Sequence, residues 1–184
     1  MKTKTLIISA LFSCNLFAQA QFGPSCIPQN GLVAFWPMDN VSNANSTVGG
    51  YVGTINGPVL TSDRFSNANS AYQFNGTSDN IITTYAGILG SNPRAVSFWA
   101  KTPGNGGTLG MYPVAWGDNN TGQRFGCGLD APAGCAGIGG ANCASTRNFA
   151  SPGTSDNAWH HYVFQFSGIA PNNTLGSVEI YYDG

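Results

Sequence analysis

A chain of 184 residues has the length of one domain with a short appendage and is long enough to bury a core. Only 8% of its residues are charged, far below the share in an ordinary soluble domain, so solubility rests on Asn, Ser, Thr and Gly. The formal net charge of -1 supplies no basic field for phosphates, which argues against a nucleic-acid partner.

Residues 1–20 read as an export address. Lys2 and Lys4 precede an apolar run from Leu6 to Phe12, and "FAQAQ" offers small residues for cleavage near Ala20. The run is too short for a spanning helix, and no later segment reaches the roughly 20 apolar residues that a span needs. A competing reading makes Cys14 a lipidated N-terminus; bulky Phe12 disfavours it. The expectation is a secreted or cell-surface protein with a short tail over 21–30 and a domain from 31 onward.

Along that domain the pattern is strands and turns, with almost nothing of helical period. "GLVAFWPM" (Leu32 to Met38) is apolar on both sides, as a strand between two layers would be. "SAYQFNG" sets Tyr72 and Phe74 on one face. "AVSFWAK" sets Val96 and Phe98 against Ser97, Trp99 and Lys101. Within the Gly-rich stretch from Pro103 to Asp156, "MYPVAW" and "RFGCGL" read as strands, the first confined to an edge or bulge by Pro113. The rest of that stretch reads as loop. "WHHYVFQFSG" groups His160, Tyr162, Phe164 and Phe166, and "SVEIYY" buries Val178, Ile180 and Tyr182 while exposing Glu179 and Tyr181. Such spacing predicts an all-β antiparallel sandwich or jelly roll with long loops. "SNANS" occurs at Ser42–Ser46 and again at Ser66–Ser70; five polar turn formers recur easily, and no repeat is inferred.

Export would place the cysteines in an oxidising compartment. Without Cys14, the set Cys26, Cys127, Cys135 and Cys143 is even, which predicts two disulfides in one of three connectivities. The eight-residue steps between the last three do not suit zinc. At least one bridge is expected within the Gly-rich loop, with Cys26 stapling the tail to the body.

The order of the pieces resembles the laminin G-like jelly roll of the concanavalin A-like lectin and glucanase superfamily. The matching residues are Gly31, Leu32, Trp36 and Asp39; Phe74, Asn75, Gly76 and Asp79; Ser97 and Trp99; and Trp159, His160 and His161. The resemblance implies a two-sheet fold that continues past "YYDG" into further strands. Asp183-Gly184 is a type I′ hairpin signal without its second strand, so a C-terminally truncated domain is expected.

Function has to be read from a site, since this fold hosts lectins, adhesive modules and enzymes. The only glutamate is Glu179, and Asp183 lies four strand residues away, about 13 Å, too far for a retaining glycosidase pair. A hydrolase built on loop aspartates such as Asp39, Asp79, Asp118 and Asp130 is the alternative, and a structural spacer is a third reading. His160 and His161 are adjacent in a strand and so face opposite sides, which prevents them from chelating one ion. Loop oxygens at Asp39, and at Asp118 with Asn120, suit calcium or, equally, Asx turns. The leading expectation is a non-catalytic module binding an extracellular glycan or surface protein. Its candidate contacts are Trp99, Tyr112, Trp116 and Tyr181, each of which would serve packing as readily.

Overall fold

The computed structural model describes residues 27–90, 92–102, 111–117, 124–129, 136–138, 146–147, 156–168 and 178–184. Among them every regular element is a strand: β1 (Gly53–Asn56), β2 (Val59–Thr61), β3 (Ala71–Gln73), β4 (Asn80–Thr83), β5 (Arg94–Lys101), β6 (Met111–Gly117), β7 (Arg124–Leu129), β8 (Ala136–Ile138), β9 (Thr146–Arg147), β10 (Trp159–Phe166) and β11 (Val178–Tyr182). All pairings are antiparallel, in sheets ordered β1-β4, β2-β3, β11-β10-β5 and β6-β7-β8-β9. No helix among the described residues is long and apolar enough to cross a membrane.

The period-two pattern of β5, β10 and β11 decides which side is buried. Register pairs Tyr162 with Phe98 and Tyr182, and Phe164 with Val96 and Ile180, so the apolar residues of all three strands share one face. Tyr162, Phe164 and Phe166 are buried there, and Phe98 stacks on Tyr162 and Phe164 at 5.5 and 5.8 Å. Strand β7 contributes Phe125, Cys127 and Leu129 to the same cluster, with Val114 and Trp116 of β6 against it. Each such ring or leucine, fully buried, is worth about 1.5–3 kcal/mol.

Glycine in "RFGCGL" has a packing role. Phe125 and Cys127 point into the core, so Gly126 faces the other way, and a Cβ there would lie 3.1 Å from the Tyr112 ring. The missing side chain lets Tyr112 lie over β7, where the Arg124 guanidinium covers its ring at 4.4 Å. Among the described strands β6 lies at a sheet edge, and its register with β7 shifts between Met111 and Val114, around Pro113. Both the edge and the irregularity follow from a residue with no N–H to offer the ladder.

The segment 32–38 departs from expectation. It is not a strand; only Phe35 bridges, to Val48. Pro37 lacks a donor and Met38 sits at φ 59°, left-handed for a residue with a side chain, so extended pairing stops before a full strand can form. What the segment supplies is Trp36, whose ring meets Tyr51 and Tyr85 at 6.1 and 5.7 Å; Tyr85 in turn meets Trp116 at 5.9 Å. Strands β1, β2, β4, β8 and β9 were not expected; they are two to four residues long, too short to carry a pattern.

The two "SNANS" segments adopt different turns. Positive φ falls at Asn43 and Ala44 in the first and at Ser66 and Asn69 in the second, and Ala44 is fully buried whereas Ala68 is exposed. They are not a structural repeat.

Candidate functional site

The sheet face opposite the core carries ordered aromatic and polar groups. Because Trp99 pairs with His161, and Val163 pairs with both Ser97 and Tyr181, these residues lie side by side on the outer face of β5, β10 and β11. Trp99 and Tyr181 are each 44% exposed. Two strand spacings across and two residues along separate their backbones by about 12 Å. Ser97, Gln165 and Glu179 lie exposed on the same face.

Local contacts hold both aromatic groups. His161 lies against Trp99 at 5.2 Å, and its Nε2 is 2.8 Å from Ser97 Oγ, which fixes the imidazole. The Tyr181 hydroxyl donates to Glu179 Oε2 at 2.8 Å, two residues back on the same face. That bond, with the carboxylate's charge, pushes the Tyr181 phenol above its ordinary pKa, so it stays a donor.

A third contact comes from the connection between β2 and β3. The Arg64 guanidinium lies 4.1 Å from the Trp99 ring centroid and 3.9 Å from that of Phe65. Asp63 braces this turn: Oδ1 accepts the amides of Phe65 and Asn67 at 2.9 Å, and Oδ2 accepts the Asn67 side-chain amide at 3.0 Å. Desolvation opposes the Asp63 charge, but these hydrogen bonds outweigh it and hold the carboxyl below its ordinary range. Nothing in the local sequence signals that Arg64 meets Trp99, a contact between residues 35 positions apart.

The two histidines lie on opposite faces. His160, on the inner side at the rim, has Nδ1 2.7 Å from Asp183 Oδ2 and Nε2 3.0 Å from Asp156 Oδ1, and as an imidazolium it donates to both. Asp183 Oδ1 also accepts the His161 amide at 2.9 Å. Partial burial opposes the His160 charge, but the bonds and charges of Asp183 and Asp156 prevail, so its pKa is raised. Both acids are held low, Asp183 first by the His161 amide and Asp156 first by that of Ala158, and each then by His160. Since the two ring nitrogens point apart, the acids cannot converge on one ion, and no metal-binding cluster occurs among the described residues.

The remaining candidates fall elsewhere. Tyr112 lies over β7, and the half-buried Trp116 packs against the core, stacks on Phe125 at 4.7 Å and donates from Nε1 to the Ile88 carbonyl at 3.1 Å. Of the four aromatic candidates, Trp99 and Tyr181 share the outer face. Asp39 Oδ1 accepts the amides of Val41 and Ser42 at 3.1 and 2.7 Å, the Asx-turn arrangement. Asp118 and Asn120 lie outside the described residues. Cys127 is a free, fully buried thiol whose pKa burial pushes up; Cys26, Cys135 and Cys143 are outside the described residues, as are the proposed export segment and Cys14.

Chemically, this face offers stacking surfaces flanked by hydroxyl, amide and carboxylate groups. Ser97 and His161 have the atom types of a nucleophile and base, yet Ser97 lies mid-strand, where amides run within the sheet and do not converge above its hydroxyl as an oxyanion site requires. In comparison with known proteins, the chain matches no family model, no curated protein and no solved structure.

Proposed function

We propose that this chain is an exported, non-catalytic glycan-binding module, a laminin G-like jelly-roll sandwich that uses the outer face of β5, β10 and β11. The observation that carries the reading is the pair Trp99 and Tyr181, both exposed on one face and each fixed by a neighbour instead of by the core. Aromatic rings held open to solvent present apolar area at low entropic cost, and a sugar ring offers a matching apolar face with hydroxyls around its edge. Ser97, Gln165 and Glu179 supply partners for those hydroxyls. The order of sequence motifs and the shared core of β7 and β10 support the sandwich.

Hydrolysis is the weaker reading. Glu179 is bonded to Tyr181 and Asp183 to His160, so both carboxylates are engaged by neighbouring side chains.

The test is retention on immobilised polysaccharides with parallel assay for new reducing ends. Retention without release is expected, and Trp99→Ala or Tyr181→Ala should each weaken it about tenfold while leaving thermal stability nearly unchanged. Retention indifferent to both substitutions would reject the face, and reducing ends that accumulate with time would reject the non-catalytic reading.

A further inference from the structure

The cations on this face are gathered beside one of its two rings. Arg64 lies directly over Trp99, and Lys101 is two residues along β5 from Trp99 on the same side. At the Tyr181 end the charged side chain is Glu179. An uncharged sugar chain would not need this polarity.

The way Arg64 is held sets its chemistry. A guanidinium lying against aromatic rings uses its flat faces for the contact and leaves its N–H groups directed outward in its own plane, where they match the two oxygens of a carboxylate. Asp63, the adjacent acid, does not fill that role, because its oxygens already accept three N–H donors within the turn. Among the described residues neither Arg64 nor Lys101 has a salt-bridge partner. Arg64 is therefore ordered by Phe65 and Trp99, and the nearby Asp63 carboxylate feels its charge without forming an ion pair with it.

Building on the glycan-binding reading, we infer that the Arg64–Trp99–Lys101 corner is a subsite for a carboxylated sugar, a uronic acid unit of an extracellular polysaccharide. The sugar packs against the part of Trp99 that Arg64 and His161 leave exposed, its carboxylate meets the Arg64 fork, and Lys101 adds a second positive charge.

The experiment compares the full chain on polygalacturonate and on the same polymer after chemical reduction of its carboxyl groups. The acidic polymer is expected to bind at least tenfold more tightly at low salt, with the preference shrinking as salt is added. Arg64→Gln should bring the two affinities together, and Arg64→Lys should restore only part of the gap, since it returns charge without the planar fork. Equal affinity of the unmodified chain for both polymers, or a preference that survives Arg64→Gln, would overturn the carboxylate subsite while leaving the glycan face standing. Retention of neither polymer would overturn both.

Discussion

Both ring nitrogens of His160 face carboxylates, so its folding is coupled to protons on three groups at once. With its folded pKa raised above 6.5, His160 contributes stability that is complete below that value and is lost as pH rises through the folded pKa. Asp156 and Asp183, held below 3.8, contribute stability that is complete above that value and is lost as pH falls through their folded pKa values. The joint contribution is greatest between the two ordinary values. Substituting His160→Gln should therefore lower the melting temperature more at about pH 5.5 than at about pH 9; an equal loss at both would mean that packing against Tyr182, not charge, is what His160 provides. Gly87 illustrates a different dependence on a single atom. At φ 83° its Cα faces the Trp116 indole with no room for a Cβ. Gly87→Ala should cost about 1–3 kcal/mol in denaturant titration, from strain and displacement of the indole together.

Strand β10 separates its two jobs by parity. Phe164 is fully buried and Gln165 is exposed, so Phe164→Ala should cost about 3–5 kcal/mol and Gln165→Ala less than about 0.5, read from denaturation midpoints at constant slope. A similar cost at both positions would contradict the assigned inner and outer faces. This parity is what made β5, β10 and β11 legible in the sequence: alternations of five to eight residues are long enough to announce a face. Pro113 was legible for a sharper reason, since an absent N–H restricts where a strand can sit. The apolar run 32–38 misled because hydrophobicity says that a segment is buried but not that it is extended, and Trp36 finds its burial against tyrosines in place of a ladder. Of the candidate site, the outward placing of Trp99 and Tyr181 could be read from each strand alone. Their adjacency to His161, Ser97 and Arg64 depends on register and on a distant turn, neither of which is written locally.

At the scale of the molecule, Cys127 reports on how the core opens. Its sulfur is fully buried in the cluster shared by β7 and β10, and burial disfavours the thiolate. In native buffer an alkylating reagent should leave Cys127 unmodified, and labelling should begin only in denaturant concentrations that melt the whole domain, as peptide mapping by mass spectrometry would show. Labelling well below that transition would mean that the two sheets part locally. One further link bears on the whole chain. The Ile88 carbonyl accepts from Arg94, at the start of β5, and from Trp116 of β6, while Arg94 also reaches the Gly90 carbonyl. The connector between the short N-terminal sheets and the large ones is thus riveted to two strands from different sheets. Opening the chain at this connector, as a domain-swapped dimer requires, would break these bonds before they could re-form between copies.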